Sequence, residues 1–324
     1  LRIGSAVSDH GRHSGEQARR TLRLSMTPLI SVVIPTYNYG HLLPRALDSV
    51  IHQQTPLTEL IVIDDGSTDD TPSIMADFCK RYPQITYIRQ QNGGAARARN
   101  HGIARAQGKY VLLLDADDEL LPGALQRWQA AVMAHPEAGV FLGGYVSVFP
   151  DWREKIHRPS SVPSSSSVKI AKRYLLHKSI SISHGCTLFL RTMLLARPYA
   201  ERLRRGEDIP VFAHVLTAGK PIISIPQPMA KIHKHADSLR HRQVTEDSAV
   251  DLMVEEVFAS LPAQCQPLRK RYKAQRFLSL GKQAIHRADM RAARRLYFQA
   301  IKLHPWQIVR GSHLPKFLRA LFTR

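Results

Sequence analysis

Two clusters of carboxylates, each directly after an apolar run, are the residues of this 324-residue chain best suited to chemistry. The sequence DDGS at 64–67 follows the run ELIVI, and DADD at 115–118 follows YVLLL. Carboxylates spaced in this way bind a hard divalent cation through oxygen, and Mg²⁺ or Mn²⁺ suits such a site when phosphates complete the shell. Either cluster alone could instead form a turn or a helix N-cap. Two clusters together favour a ligand site.

A glycine- and arginine-rich stretch, NGGAARARN at 92–100, lies between the clusters. Gly93 and Gly94 would allow the backbone to approach a ligand closely, and Arg97 and Arg99 could meet phosphate. The stretch therefore adds an anion-binding element to the candidate site.

Alternating strand-like and helix-like segments must position these residues. The runs LISVVIP, ELIVID, ITYIR, YVLLLD and AGVFLGGYVSV predict strands, and helical patterns separate them at 20–30-residue spacing. This alternation predicts an α/β fold with a mostly parallel sheet flanked by helices. Ligands bind beyond the carboxyl ends of strands in such sheets, and both clusters stand there.

Four motifs resemble family 2 glycosyltransferases in order and spacing: ISVVIPTYNYGHLLPRALDSVIHQ, IVIDDGSTDDT, NGGAARARNHGIARAQGKYVLLLDADD and GED. The resemblance covers roughly residues 29–240. It implies a GT-A fold, a nucleotide-sugar donor, a divalent metal and inversion at the anomeric carbon of the sugar.

The resemblance also implies roles for donor-binding residues. The end of the first strand is similar to the edge of the nucleotide pocket, and Asp65 resembles the aspartate that pairs with the base, usually uracil. Arg99 and Asn100, with Gly93, resemble the loop beneath the donor. The strand-end residues concerned are Pro35, Thr36, Tyr37 and Asn38.

The second cluster and a late histidine resemble the metal-binding part of the family's site. Asp115 or Asp117 would hold the ribose, and Asp117, with Asp118, would hold the metal. His235, in HKHADSLRH, is similar to a histidine near the metal or the diphosphate. The alternative for His235 is a surface histidine in a basic tract.

Asp208, directly after Glu207, resembles the catalytic base of the family. Direct displacement needs a base to remove the proton of the acceptor hydroxyl as its oxygen attacks. The alternative is an acid pair at a helix N-terminus, which the helix dipole favours.

Two departures from the family's patterns bear on the reaction. Processive relatives carry Gln-x-x-Arg-Trp, but here Arg127 and Trp128 lie just after the acid cluster, and position 124 is alanine. No run approaches the roughly 20 apolar residues that span a bilayer, so we predict a non-processive enzyme. The stretch RPYAE at 197–201 replaces the Gly-Gly-Phe-Asp-Glu of many relatives.

Other classes of protein remain open at this point. A sugar nucleotidyltransferase shares this kind of sheet, but PTYNYGH lacks the lysine-bearing, glycine-rich loop expected near its first strand. The formal net charge of +20 would suit a nucleic-acid-binding protein, although no zinc spacing or RNP-like sequence supports one. A catalytically dead scaffold is disfavoured by the intact acids.

The sequence predicts three regions. Residues 1–27 read as a disordered extension, residues 28–242 as the GT-A domain, with halves at 28–120 and 121–242, and residues 243–324 as a basic helical region. Residues 263–324 carry 15 Lys or Arg residues and one acid, Asp289.

The basic C-terminal end interleaves cations with apolar side chains in HPWQIVRGSHLPKFLRALFTR, a composition suited to an anionic membrane surface. The alternative is that its apolar residues pack back on the catalytic domain. Three widely spaced cysteines indicate a reducing compartment. We therefore expect a cytoplasmic enzyme, peripheral on the inner face of a bacterial membrane, with a lipid-linked or cell-envelope glycan as acceptor.

Overall fold

The structure, a computed structural model, describes residues 27–162, 166–234, 247–309 and 313–322. The expectation of disorder for residues 1–26 and the roles considered for His235 lie outside these ranges. The helical character expected beyond residue 243 is present in the described part of that region.

A single mixed sheet forms the centre of the described chain. Its strand order is β3-β2-β1-β4-β8-β6-β9-β5, with β7 paired to β6. The strands are β1 (Ile30–Thr36), β2 (Thr58–Asp64), β3 (Ile85–Arg89), β4 (Tyr110–Leu113), β5 (Glu119–Leu120), β6 (Val140–Val148), β7 (Glu154–His157), β8 (Thr187–Leu190) and β9 (Ile222–His233).

Parallel pairing joins β3, β2, β1 and β4, and also joins β6 to β9, whereas β5, β7 and β8 pair antiparallel. Every residue of β1 is buried, as expected for a strand covered on both faces. In the register, Thr36 pairs with Asp64 and Val33 with Leu113, so the three strands end at one edge.

Helices cover both faces of the sheet and continue into the C-terminal region. They are α1 (Leu43–Ile51), α2 (Thr71–Arg81), α3 (Ala95–Arg105), α4 (Ala124–Ala134), α5 (Ser167–Ala171, continued by a π-helical turn at Lys172–Leu176), α6 (Arg191–Ala196), α7 (Asp208–Thr217), α8 (Asp247–Ala259), α9 (Arg269–His286), α10 (Met290–Leu303) and α11 (His313–Phe322). The α/β class and the sheet flanked by helices, both predicted from the sequence, are confirmed.

Helix α3 lies against β1 and β2 at Gly102. A Cβ atom at this position would stand 2.2 Å from Cγ1 of Val33 and 3.3 Å from Cγ1 of Ile63. Glycine therefore sets the close approach of the helix that carries Arg99 and Asn100, three and two positions earlier, at the strand ends.

The C-terminal helices share a hydrophobic core with the preceding part of the chain, between residues 171 and 213. Leu175, Leu203 and Ala213 belong to the same buried cluster as Val257 of α8 and Phe277 of α9. The α9–α10 hairpin closes where Gly281 meets the ring of Tyr297. The described C-terminal helices are thus packed onto the site-bearing part of the molecule. None of the helices described here combines the length and apolar character that crossing a bilayer requires.

Candidate active site at the strand ends

The two acids of the first cluster have different surroundings. Asp64 is fully buried, and its carboxylate accepts hydrogen bonds from the Ser67 backbone N–H (2.8 Å) and the Tyr87 hydroxyl (2.8 Å). It therefore fixes the turn after β2, as a turn-forming aspartate does.

Asp65 holds the glycine loop in place. Its Oδ1 accepts hydrogen bonds from the side-chain amide of Gln90 (2.7 Å) and the N–H of Gly93 (3.0 Å), and its Oδ2 accepts one from the N–H of Gly94 (2.7 Å). Gly94 has a φ of +89°, which favours glycine. Asp65 is 2% exposed, so a nucleobase reaching it would share or displace these donors.

The end of β1 forms a wall beside this loop. Tyr37 is 45% exposed, and the buried hydroxyl of Thr36 has no partner among the described groups. Asn38 adopts a left-handed φ of 56°, its N–H donates to Oγ of Ser67, and its Oδ1 accepts from the N–H of Thr68. Pro35, in the register of the strand, aligns with Ile63. The predicted nucleotide-pocket residues are therefore neighbours of the DDGS turn.

The three aspartates of the second cluster converge. One carboxylate oxygen from each of Asp115, Asp117 and Asp118 lies within 4.8 Å of the others. Burial, together with the charges of Asp117 and Asp115, raises the pKa of Asp118 well above its ordinary value. A divalent cation would relieve this repulsion between like charges, so the donor set fits Mg²⁺ or Mn²⁺.

A histidine of β9 supports this cluster. The backbone N–H of His233 donates to Oδ1 of Asp118 (2.9 Å). The ring Nε2 of His233 lies 3.0 Å from Oε1 of Glu119. Burial lowers the pKa of His233. The sequence analysis singled out His235 and overlooked His233, whose place at the end of a strand-like segment was the available signal.

Arg99 links the second cluster to the acid pair. Its Nη2 donates to Oδ1 of Asp115 (2.9 Å) and its Nη1 to Oε1 of Glu207 (2.8 Å), with the arginine side chain only 8% exposed. Burial opposes the charged guanidinium, but Asp115, Tyr199 and Glu207 raise the pKa of Arg99 above its ordinary value. The structure places this guanidinium between two carboxylates, and its role in the loop beneath the donor stays a prediction from the sequence.

Asn100 and His184 connect the same helix and cluster to the segment before the acid pair. The side-chain amide of Asn100 donates to the backbone oxygen of Tyr199 (2.9 Å) and accepts from its N–H (2.8 Å). Nε2 of His184 lies 2.9 Å from the Tyr199 hydroxyl, and its Nδ1 lies 4.0 Å from Asp115. Tyr199 stands in the stretch that departs from the family's pattern, and sequence reasoning assigned neither it nor His184 a role.

Asp208 begins α7 and lies among buried phenols. Burial raises the pKa of Tyr174 and of Tyr272, and the negative charge of Asp208 adds to both increases. Tyr272 belongs to α9, so the C-terminal region contributes to the surroundings of Asp208. Glu207 is thus paired to Arg99, whereas the charge of Asp208 acts on two buried tyrosines.

The Arg127-Trp128 pair has a structural role. Trp128 is fully buried in the core cluster, and Arg127 donates to the backbone oxygen of Pro122 (2.7 Å). That this pair is not the Arg-Trp motif of processive relatives stays a prediction from the sequence.

Comparison with known proteins identifies the type of chain. A family model described as "Glycosyl transferase family 2" matches residues 31–196. The uncharacterised glycosyltransferase YibD of Escherichia coli (strain K12) is 42% identical over 99 residues, which cover 31% of this chain and 29% of that protein. The putative teichuronic acid biosynthesis glycosyltransferase TuaG of Bacillus subtilis (strain 168) is 34% identical over 146 residues, 44% of this chain and 58% of TuaG. The chain thus matches less than two thirds of either relative.

A solved structure shares the fold. The structure of S. aureus TarS 1–349 in complex with UDP-GlcNAc aligns with a TM-score of 0.58 and 18% sequence identity, and the alignment covers 90% of this chain and 79% of that one. The GT-A expectation for the fold is therefore confirmed.

Proposed function

The chain belongs to glycosyltransferase family 2, and from that premise we propose that it transfers one sugar from a nucleotide-sugar donor, a UDP-sugar, to a hydroxyl group with inversion at the anomeric carbon. The observation that carries the proposal is the guanidinium of Arg99, which joins the aspartate cluster to the Glu207–Asp208 pair. A cation site and a candidate base are thereby held side by side.

The donor would lie between the end of β1 and the second cluster. The exposed ring of Tyr37 and the buried hydroxyl of Thr36 supply an aromatic face and a hydrogen-bonding group for a nucleoside. Asp65 would receive the base, and Asp115 or Asp117 the ribose. The UDP-GlcNAc complex of TarS, which shares the fold, makes a UDP-sugar the first donor to test.

Asp117 and Asp118 would hold Mn²⁺ or Mg²⁺. The bound cation would offset the charge that grows on the leaving diphosphate. The aspartate cluster that would bind the cation is held in place by two hydrogen bonds. The backbone N–H of His233 donates to Asp118, and the guanidinium of Arg99 donates to Asp115. A third candidate for this shell, His235, remains a prediction from the sequence.

Asp208 would accept the proton of the acceptor hydroxyl. Oε1 of Glu207 forms an ion pair with Nη1 of Arg99 (2.8 Å), so we assign Glu207 the role of a charge partner rather than that of the base. Asp208 begins α7, and its negative charge adds to the raised pKa of the buried Tyr174 and Tyr272. The proton would move to Asp208 as the acceptor oxygen attacks, in a transition state with oxocarbenium character.

The acceptor we propose is a hydroxyl of a cell-envelope glycan, carried on a lipid or on a phosphorylated saccharide. One relative is named as a putative teichuronic acid biosynthesis glycosyltransferase and another as a chondroitin synthase. Both names refer to polysaccharides, which supports a glycan as the acceptor.

A donor screen tests the proposed reaction. Hydrolysis and thermal shift would be measured with UDP-, GDP- and dTDP-sugars plus Mn²⁺, with EDTA as the control. We expect metal-dependent release of the nucleotide from a UDP-sugar. Absence of turnover with every donor, together with salt-sensitive binding of DNA or RNA, would instead support the nucleic-acid alternative. Formation of a sugar nucleotide from a sugar phosphate and UTP would support a nucleotidyltransferase.

We also propose that the C-terminal end docks on the anionic cytoplasmic leaflet of a bacterial membrane. Helix α11 has two apolar faces. Phe317 packs against Tyr297 and Phe298, and Ala320 is fully buried. Leu314, Leu318 and Phe322, spaced by four residues, are 38%, 44% and 83% exposed.

The outward face suits a membrane interface. Trp306, in the short 3-10 turn Pro305–Gln307 that follows α10, is 74% exposed, and aromatic side chains are favoured at the interface of a bilayer. The neighbouring cations would each contribute on the order of 1 kcal/mol at an anionic surface. The free cysteines agree with the reducing compartment expected on that side.

Co-sedimentation with vesicles tests the docking. Binding should require anionic lipid, weaken with salt and fall when Leu314, Leu318 and Phe322 are changed to glutamine. The matched control is Trp152→Gln, at an 81% exposed apolar residue on the catalytic region, which should not alter binding. Equal binding to neutral vesicles, or no loss in the triple variant, would contradict the proposal.

A further inference from the structure

A cavity in the C-terminal region lies outside the site described above. It has a volume of about 200 Å³, opens to solvent, and is lined by Leu176, Leu278 and five polar residues. We call it the C-terminal pocket, and its polar lining is His177, Arg271, Gln275, Gln307 and His313. Since one water occupies roughly 30 Å³ in the liquid, a group larger than water fits.

The lining of the C-terminal pocket is cationic or neutral, with no acid among these residues. Arg271, on the first turn of α9, brings a guanidinium into the wall. Burial, with the positive charges of Lys316, Lys282 and Lys178, lowers the pKa of His313. The field in the pocket is therefore positive from three directions: α9, α11 and the turn after the π-helical segment.

His313 adds an unsatisfied group to this field. Its ring Nδ1 is buried and has no partner among the described groups. His313 is also the first residue of α11, a ten-residue helix, so the positive end of the helix dipole is at the pocket wall. Gln275 is held in place by a hydrogen bond from its Nε2 to the backbone oxygen of Leu176 (2.7 Å).

We propose that the C-terminal pocket binds a phosphate group. A tetrahedral dianion would accept hydrogen bonds from Arg271 and His313, and its charge would offset the repulsion among the surrounding lysines. The phosphate can come from a membrane lipid or from a soluble phosphorylated compound. Neither source depends on the proposed sugar transfer, because the pocket is built from other residues.

Calorimetric titration of the full chain with inorganic phosphate tests the proposal. EDTA would be present throughout, and chloride would keep the ionic strength constant. We expect one saturable site in the unchanged protein and at least tenfold weaker binding in Arg271→Gln and in His313→Gln. The matched control is Lys270→Gln, which removes the same charge from an exposed neighbour and should bind within about twofold of the unchanged protein.

Two further measurements complete the test. Thermal melts would show that each variant is folded. The buffer dependence of the binding enthalpy, compared between the unchanged protein and His313→Gln, would separate proton uptake by His313 from proton exchange by phosphate itself. Equal affinity in all four proteins, or no saturable binding in any, would overturn the proposal.

Competition experiments with phosphatidic acid vesicles distinguish the two possible sources of the phosphate. If inorganic phosphate displaces the unchanged protein from phosphatidic acid vesicles, and Arg271→Gln weakens that binding, the source is a lipid head group. If phosphate binds the pocket but does not compete with vesicles, the source is soluble. Absence of UDP-sugar turnover in the unchanged protein would refute the proposed sugar transfer, but it would not bear on phosphate binding in the C-terminal pocket.

Discussion

Arg99 and Glu207 should be energetically coupled, and a double-mutant cycle measures that coupling. The guanidinium is 8% exposed and the carboxylate 22%, with 2.8 Å between Nη1 and Oε1. Two unit charges 4 Å apart attract by about 4 kcal/mol at an effective dielectric constant of about 20. Desolvation of the buried arginine removes part of this gain, so we expect a coupling energy of about 2 kcal/mol.

The cycle compares the unchanged protein with Arg99→Gln, Glu207→Gln and the double variant by urea denaturation in EDTA. Arg99→Gln should be the more damaging single change, costing about 3 kcal/mol, because it leaves both Asp115 and Glu207 without their cation. The double variant should lose about 2 kcal/mol less than the sum of the two singles.

The control cycle pairs Glu207→Gln with Arg105→Gln, since Arg105 is exposed at the other end of α3. These two changes should add within about 0.5 kcal/mol. If the free-energy changes of Arg99→Gln and Glu207→Gln were additive, the ion pair would contribute no coupling energy. This result would refute the assignment of Glu207 as a charge partner rather than a base.

Three further predictions concern the base, the C-terminal helices and the sheet. Asp208→Asn should lower kcat by about 100- to 10,000-fold with little change in UDP affinity by calorimetry, and near-normal transfer would remove Asp208 from the mechanism. Burial opposes ionisation of Glu256, but hydrogen bonds from Arg202 and Arg197 lower its pKa below the ordinary glutamate value of 4.5. The stabilisation from this acid is therefore present above pH 4.5 and is lost as the pH falls through the lower pKa of the folded state. Glu256→Gln should thus cost about 2 kcal/mol at pH 7 and less near pH 4 in denaturant titrations, whereas the exposed Glu255→Gln control should change little. Gly102→Ala should lower the free energy of unfolding by about 1–3 kcal/mol, because its Cβ would overlap Val33, and a melting curve equal to that of the unchanged protein would contradict this packing.

The strands and helices of the first half followed from the sequence because their signals are local. Continuous apolar runs marked β1, β2 and β4, and the residues just beyond them did meet at one edge of the sheet. Local patterns do not reveal which partner a side chain chooses across the fold. Arg99 contacts Glu207, which is 108 residues away in the chain, and no spacing rule predicts that pair.

The roles of His184, Tyr199 and His233 were hidden for the same reason. Each of the three contacts a residue that is distant in sequence and becomes a neighbour only in the fold. A buried histidine or tyrosine is also more often a core residue than a functional one. The two faces of α11 were likewise indistinguishable in sequence, because Phe317 and Leu318 differ only in which side of the helix meets α10.

Binding of UDP to the unchanged protein and to Asp117→Ala, measured by calorimetry with Mn²⁺ and with EDTA, tests the central claim most directly. The account predicts metal-dependent binding in the unchanged protein and weak, metal-independent binding in the variant, since Asp117 belongs to the cluster whose carboxylates lie within 4.8 Å of one another. Equal UDP affinity in both proteins, with the same response to Mn²⁺, would contradict it.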